Sequence, residues 1–173
     1  RGCEVPGAAR RDVHDLTIVV LQRPRHEKLI NEIRQAGARI KLIDDGDLTA
    51  AISVAVAGTG VHAVMGTGGA PEGVLAAAAL RCLGAEILGR LKYRNDEERE
   101  RGRRMGITDE KRIYRTDELA SGKDLRFIAT GVTDGELLQG VRFFARGVRT
   151  HSVIMSLPYG TMRFIDTFHY DDP

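Results

Sequence analysis

Tryptophan is missing from this 173-residue sequence, and all aromatic residues together make up only 5% of it. Proteins that bind single-stranded nucleic acids stack bases on aromatic rings, and nucleic-acid-binding domains carry a clear excess of basic residues. Here the formal net charge is only +2. The composition therefore predicts no nucleic-acid partner.

Cysteine is also scarce. Cys3 and Cys82 lie far apart and outside any CxxC pair, which argues against a disulfide framework and a cysteine-based zinc site. No stretch approaches the ~20 consecutive apolar residues of a membrane span. The first residues contain neither a methionine nor the apolar core of a signal peptide. We expect a cytoplasmic globular protein with no membrane partner, whose N-terminus has either been processed or lacks a portion.

What is present is an alternation of short apolar runs with helical patterns. The run at 16–21 is rich in β-branched residues and bounded by charges, which is typical of a strand buried on both faces. Strands are also predicted at 39–43 and 61–65. A helix is predicted after each of these strands. Asp47 is a candidate N-cap for the second helix. The third helix, 73–83, is apolar almost all round, which is typical of a buried helix. This order predicts a parallel βαβαβ core.

The second half has a different character. Nine of the eleven residues at 94–104 are charged, which favours a solvated helix with i,i+4 ion pairs over a binding surface. Strands are predicted at 86–91, 125–130, 141–144, 150–155 and 161–168, and the one at 125–130 is predicted to be buried. The turn at 157–160 predicts a hairpin between the last two, and therefore a mixed or antiparallel C-terminal part. We interpret 1–15 as a loop or linker and 16–173 as one domain.

Three turns follow the first three predicted strands, and ligands of open α/β sheets bind beyond the carboxyl ends of the strands. In Arg23-Pro24-Arg25, two guanidinium groups beside a rigid proline suit phosphate oxygens, although surface arginine is common. In Asp45-Gly46-Asp47, the carboxylates either bind sugar hydroxyls or a hard cation, or merely form a turn and cap the next helix.

The third turn, 66–72, places Glu72 in the first turn of the third helix. A helix N-terminus attracts phosphate, and a carboxylate there repels phosphate unless a cation lies between them. Glu72 is therefore either a metal ligand or a residue that only complements the helix dipole. The turn is superficially similar to the GxGxxG of dinucleotide-binding domains. However, Pro71 replaces the third glycine, which disfavours a Rossmann nucleotide-binding domain.

Five segments, in this order, resemble the class II (GlpX-type) fructose-1,6-bisphosphatases. They are LQRPRH at 21–26, LIDDGD at 42–47, MGTGGAPEG at 65–73, ATGVTDG at 129–135 and GVRFF at 140–144. Each motif is weak alone, but the ordered set is strong, and it covers nearly the whole chain. Two positions depart from the family pattern: Gln22 stands where aspartate is usual, and Thr67 where an apolar residue is usual.

The resemblance implies a layered α/β sugar-phosphatase fold of the inositol-phosphatase superfamily. It implies metal-dependent hydrolysis of the 1-phosphate of fructose 1,6-bisphosphate to fructose 6-phosphate, in gluconeogenesis or the Calvin cycle, with Mg²⁺ or Mn²⁺ as cofactor. Some members also hydrolyse sedoheptulose 1,7-bisphosphate. By the same resemblance Glu72 is a metal ligand, and the substrate-binding positions are Arg23, Pro24, Arg25, Asp45, Gly46, Asp47 and Gly69.

The family's N-terminal half, which supplies most of the metal-binding carboxylates, is absent from this sequence, so no catalytic residue is assigned. Two interpretations stay open. The chain is part of a phosphatase, as a homo-oligomer or paired with the missing half, or it is by itself a non-catalytic sugar-phosphate-binding half-domain. The preference between fructose and sedoheptulose bisphosphate also stays open.

Overall fold

The structure is a computed structural model that describes residues 12–56 and 58–171. The N-terminal part of the described chain forms a three-stranded parallel sheet, and a helix follows each strand; numbered along the chain, the strands lie in the order β2-β1-β3. The strands are β1 (Thr17–Leu21), β2 (Arg39–Ile43) and β3 (Ala63–Val64), and the helices are α1 (Glu27–Gln35), α2 (Asp47–Ala55) and α3 (Ala70–Leu83). The predicted parallel βαβαβ core is confirmed. Most of the predicted linker lies outside the described residues, and Val13–Asp15 forms a short 3-10 turn.

The central strand β1 is buried on both faces, as its β-branched sequence predicts. Ile18 and Val20 pack against Ile30 and Ile33 of α1. Side chains alternate between the faces of a strand, so the residues between and after them point away from α1. These residues are buried as well, which fixes β1 in the middle of the parallel sheet.

Helices α2 and α3 connect this sheet to a second, antiparallel one. Ile52 of α2 and Ala79 of α3 share a buried cluster with Phe127, Val153 and Met155, which belong to the second sheet. Its strands are β6 (Arg126–Thr130), β7 (Arg142–Phe144), β8 (Gly147–Ser156) and β9 (Thr161–Tyr170). Strand β8 pairs antiparallel with all three others, so the predicted β8–β9 hairpin and the antiparallel C-terminal part are confirmed.

Smaller elements lie between the two sheets in sequence. They are β4 (Leu88–Gly89), α4 (Asp96–Arg104), β5 (Tyr114–Arg115) and α5 (Thr116–Leu119). Helix α4 is the predicted charged, solvated helix: the Asn95 side chain accepts a hydrogen bond from the backbone of Glu98 at 2.8 Å. Arg94 Nε donates to Glu98 Oε1 at 2.8 Å in an i,i+4 pair. The β5–α5 unit has no clear periodicity and was not predicted.

The expectations for the starts of two helices are wrong. Gly46, not Asp47, is the N-cap of α2, and its φ of +93° is a conformation that favours glycine. Helix α3 begins at Ala70 rather than at residue 73, because Pro71 occupies the first turn, where a missing N–H costs nothing.

The expectations for burial are wrong at two elements. Val74 and Leu75 of α3 are 44% and 48% exposed, so this helix is not buried all round. In β6, Phe127 is buried but Ile128 is 63% exposed; only one face of the strand has a layer of the chain packed on it. Within the described ranges, no helix has the length and apolarity needed to cross a bilayer.

Candidate functional site

The three turns singled out from the sequence meet at one edge of the parallel sheet. Because β1, β2 and β3 run parallel, their carboxyl ends lie together. The backbone tightens this arrangement: Gln22 N donates to Ile43 O at 2.8 Å, and Met65 N donates to Val19 O at 3.0 Å. The turn after the central strand therefore lies between the other two.

The turn after β1 presents its arginines to solvent and to the third turn. Pro24 begins a short 3-10 turn that ends at His26, so its fixed φ sets the direction of the chain. Arg25 Nε donates to the backbone oxygen of Thr67 at 2.9 Å. Arg23 donates to the oxygen of Gln22 at 3.3 Å and has no carboxylate partner among the described residues. Both guanidinium groups keep donors for an anion.

A cleft of about 430 Å³ opens beside Arg23. Gln22, Pro24, Asn31 and Arg34 are among the side chains that line it. Its volume falls in the range of about 300–1,000 Å³ that is usual for small-molecule sites. The cleft therefore has room for a ligand as large as a sugar phosphate next to the first turn.

The turn after β2 combines the two roles that the sequence left open. Asp45 Oδ1 accepts a hydrogen bond from Gly46 N at 2.8 Å, so this carboxylate shapes the turn. Asp44 and Asp45 are both exposed, so oxygen atoms remain available to a ligand. Asp47 is the first residue of α2.

The turn after β3 leads into α3, with Gly69 as the N-cap. Glu72 lies in the first helical turn, as the sequence predicts. A Cβ atom at Gly69 would collide with Glu72 Oε2, which means that the carboxylate folds back over the glycine. Glu72 is exposed, and it has no ion pair or hydrogen bond within the described ranges. Its oxygen atoms are free at the place where the helix N-terminus attracts an anion.

A complete metal site does not form from these residues. Among the residues that the structure describes, no group of three or more His, Cys, Asp and Glu side chains is arranged to hold a metal ion. Mg²⁺ and Mn²⁺ prefer several oxygen ligands. Glu72 fits the role of one such ligand, and the others would have to come from elsewhere.

From the sequence, His26 is only the last residue of the LQRPRH segment and has no assigned role; in the structure it is buried at the centre of the site. Its Nδ1 lies 2.9 Å from Leu21 O, and its Nε2 lies 2.9 Å from Thr67 N. Only its place directly after Arg25 hinted at a role. Thr67 is held through its backbone N and O, which explains why a change of side chain at this position is compatible with the site.

The loop after β6 is stabilised by hydrogen bonds among its own residues and with Arg142. The Asp134 carboxylate accepts hydrogen bonds from Gly140 N at 2.9 Å and from Arg142 at 2.7 Å. The Gly140 amide, followed by the Arg142 guanidinium, lowers the pKa of Asp134 below its usual value. The loop is joined to β2 by an ion pair of 2.7 Å between Lys41 and Glu136. Asp134 therefore has a structural role that agrees with an Asp-Gly turn.

Comparison with known proteins is consistent with this arrangement. Residues 4–169 match the family model described as bacterial fructose-1,6-bisphosphatase, glpX-encoded. A protein of Synechococcus sp. (strain JA-3-3Ab), named D-fructose 1,6-bisphosphatase class 2/sedoheptulose 1,7-bisphosphatase, is 51% identical over 94% of this chain and 50% of its own length. A protein of the same name from Gloeobacter violaceus is 46% identical over 94% of this chain and 51% of its own length.

The chain thus spans about half the length of the curated relatives that it matches. The matched part includes all three turns and both sheets. The family model covers the chain almost from end to end. This chain belongs to the family of glpX-encoded bacterial fructose-1,6-bisphosphatases.

Proposed function

We propose that this chain is the substrate-orienting part of a metal-dependent phosphatase that, when complete, hydrolyses fructose 1,6-bisphosphate to fructose 6-phosphate. The observation that carries the proposal is the meeting of the three turns at one sheet edge, joined by the 2.9 Å bond between Arg25 and Thr67. This bond places an anion-binding guanidinium beside the turn that carries the free carboxylate of Glu72. A phosphate between a guanidinium and a carboxylate-bound cation is the arrangement that phosphoryl transfer needs.

We propose that the same site also binds a second substrate, sedoheptulose 1,7-bisphosphate. The Synechococcus and Gloeobacter relatives carry both the fructose and the sedoheptulose activity in their names. The two sugars differ in chain length, and the cleft beside Arg23 is open to solvent along the exposed turn. We therefore propose hydrolysis of the 1-phosphate of sedoheptulose 1,7-bisphosphate as a further activity of the complete protein.

Each turn has a proposed role. Arg23 and Arg25 bind phosphate oxygens, with Pro24 fixing the direction of the turn. Asp45, Gly46 and Asp47 bind sugar hydroxyls, and Gly69 allows the close approach of the phosphate. Glu72 supplies one oxygen ligand to Mg²⁺ or Mn²⁺, which when bound would polarise the phosphoryl oxygens and lower the pKa of the attacking water.

The fold family and the cellular setting of this activity are also proposals. We infer an inositol-phosphatase-type layered fold, because the chain combines helices with one parallel sheet and two antiparallel sheets. We infer a cytoplasmic enzyme of carbohydrate metabolism. Its partner would be the half of the family protein that this chain does not span, rather than a second copy. The relatives are twice the length of the match, and the site lacks the other metal ligands.

A second function is favoured by one observation. Since Glu72 has no further metal-ligand group beside it in the described part of the chain, the chain alone would bind sugar phosphates without hydrolysing them. Under this alternative, the isolated 173-residue chain is a binding domain, and catalysis requires the remaining half.

The test compares two proteins. One is the isolated chain. The other, called the joined protein below, combines this chain with the part of the Synechococcus relative that the match does not cover. Phosphate release from fructose 1,6-bisphosphate is measured with Mg²⁺ or Mn²⁺. We expect turnover only from the joined protein, and we expect Glu72→Ala to reduce it by at least about 10²-fold, since it removes a metal ligand.

The matched control is Glu97→Ala. Glu97 is also an exposed carboxylate in the first turn of a helix, α4, but it lies outside the three turns. We expect wild-type turnover from this variant. Near-normal activity of Glu72→Ala with bound metal would reject the metal-ligand role, and no activity from a folded joined protein would reject the phosphatase itself. Robust activity of the isolated chain would show that the residues of this chain alone are sufficient for hydrolysis.

A further inference from the structure

A buried histidine connects two of the three turns. His26 is only 2% exposed, although the residues on either side of it are exposed. Its Nδ1 lies 2.9 Å from the carbonyl oxygen of Leu21 at the end of β1. Its Nε2 lies 2.9 Å from the amide nitrogen of Thr67 in the glycine-rich turn.

These two contacts define the protonation of the ring. A carbonyl oxygen only accepts a hydrogen bond, so Nδ1 carries the proton and donates it to Leu21. A backbone amide only donates, so Nε2 presents a lone pair to Thr67. The two contacts therefore select the tautomer of His26 that carries its proton on Nδ1.

Thr67 is held at both of its backbone polar groups by consecutive side chains. His26 binds its N–H, and Arg25 Nε donates to its carbonyl oxygen at 2.9 Å. Arg25 uses only Nε in this contact, and its two terminal nitrogens have no partner among the described residues. They remain free for a phosphate, and their position depends on where Thr67 lies.

The ring is also seated against Gly66. A Cβ atom at Gly66 would lie 3.2 Å from His26 Cε1 and 3.3 Å from Nε2, which is tighter than ordinary van der Waals contact. The glycine lets the ring pack directly on the backbone of the turn. His26 thus fills the space between the end of β1 and the turn that leads to Glu72.

We propose that His26 is a positioning residue that sets the spacing between the phosphate-binding Arg25 and the turn that carries Glu72. It acts through Thr67, because its ring is buried and does not reach solvent. This inference rests on the proposed function, in which Arg25 and Glu72 act on the same phosphate. The hydrogen bond between Nε2 and Thr67 N positions the turn, and this role is separate from that of the bond between Nδ1 and Leu21 O.

Two substitutions separate these bonds. In His26→Asn, the shorter side chain keeps an amide donor near the place of Nδ1 and loses the acceptor for Thr67. In His26→Gln, the carbonyl oxygen reaches toward the place of Nε2 and can accept from Thr67. If the Thr67 bond positions the site, His26→Gln should retain function and His26→Asn should lose it.

The first measurements need no turnover and use the 173-residue chain. In the wild type, ¹⁵N NMR should show an unprotonated Nε2 with a coupling through the hydrogen bond to Thr67 N. Hydrogen exchange of the Thr67 amide should be about tenfold faster in His26→Asn, whereas His26→Gln should stay near the wild type. A proton on Nε2, or unchanged Thr67 exchange in His26→Asn, would overturn the proposal even if one variant failed to fold.

The kinetic measurement uses the joined protein. We expect kcat/KM for fructose 1,6-bisphosphate to fall roughly 10- to 100-fold in His26→Asn, since small displacements of a positioning group have effects of this size. His26→Gln should stay close to the wild type at an equal folded fraction. Equal losses in both variants would mean that His26 only supports the fold. A joined protein without phosphatase activity, but with the expected NMR and exchange results, would reject the proposed function and leave the link between the turns standing.

Discussion

Gly69 is the residue of the site where an added methyl group would meet the proposed metal ligand Glu72. Its φ of −73° and ψ of 148° are ordinary for any residue, so Gly69→Ala introduces no backbone strain. However, the new Cβ would collide with Glu72 Oε2. We expect this variant to unfold like the wild type, while its Mn²⁺ affinity in the joined protein falls about tenfold or more because the Glu72 carboxylate is displaced. Thermal unfolding and titration calorimetry measure the two effects.

The control for this change is Gly73→Ala, four residues along the same helix. A Cβ at Gly73 meets nothing within 4 Å, and alanine in a helix is about 0.8–1.0 kcal/mol more favourable than glycine. This variant should therefore unfold at a higher temperature and keep its Mn²⁺ affinity. A Gly69→Ala variant that binds Mn²⁺ as tightly as the wild type would show that the observed position of Glu72 does not matter for the metal.

For individual residues, the sequence could indicate which ones are candidates for the site, but not which of them contact one another. The sequence indicated that Glu72 lies in a first helical turn, because the glycine-rich turn leads into an apolar helical run. The role of His26 did not follow from any local pattern, because it depends on Thr67, which is 41 residues away. Contacts over such distances depend on the order of the strands in the sheet, which a single sequence leaves undetermined.

The loop from Gly131 to Gly140 is the element whose stability should depend most clearly on pH. The Gly140 amide and Arg142 lower the pKa of Asp134 in the folded state. A carboxyl with a lowered folded pKa contributes stability above its unfolded pKa of about 3.9, and this contribution is lost as the pH falls through the folded value. We expect Asp134→Asn to unfold at a lower urea concentration than the wild type at pH 7, with the difference vanishing as the pH falls below about 3.9.

Asp124→Asn is the matched control for this loop. The Asp124 carboxylate forms an exposed ion pair of 3.5 Å with Arg126, and pairs of this kind contribute little to stability. Its urea midpoint should follow that of the wild type at every pH. A constant gap between Asp134→Asn and the wild type from pH 7 to pH 3 would instead mean that the shape of the side chain matters, and not its charge.

Elements were predictable where the pattern was local and strong. Strand β2 was predicted with its observed bounds, and β1 within one residue, because both are continuous apolar or alternating runs. The short β5 and α5 have no such pattern. The start of α2 was misplaced by one residue because Gly46, with its φ of +93°, takes the cap position that a sequence reader assigns to Asp47.

One side of the antiparallel sheet formed by β6–β9 carries four exposed aromatic side chains. We call this surface the aromatic face; it consists of Phe144, Phe164, Phe168 and Tyr170. The pairing register places these residues on the same side of the sheet as the buried Val153. Near Val153, α2 and α3 cover part of this side, although Phe164, which pairs with Val153, is 52% exposed. Toward the Gly147 end of β8, Phe144, Phe168 and Tyr170 are 40–73% exposed. Phe144 contacts Phe168 and Tyr170, with ring centroids 6.3 and 5.9 Å apart, whereas Phe164 stacks on His151 at 5.5 Å.

The Arg149–Asp166 ion pair of 2.7 Å lies among these rings, so the face is aromatic but not purely apolar. We propose that it is an interaction surface, because aromatic residues and arginine are enriched in protein interfaces. The occupant that we propose is the half of the family protein that this chain does not span. The face continues the chain's own core, and the relatives have about as much additional length as the match itself.

The absence of tryptophan from the chain makes this proposal directly measurable. In the isolated chain, Phe168→Trp should fluoresce as a solvated indole, and in the joined protein its emission should shift to shorter wavelength as the face is covered. The control is Tyr159→Trp, in the turn between β8 and β9, where the side chain is 69% exposed and should stay solvated in both proteins. A shift that appears in the isolated chain with rising protein concentration would identify a second copy as the occupant. Emission from Phe168→Trp that is the same in all conditions would mean that the aromatic face stays open to water.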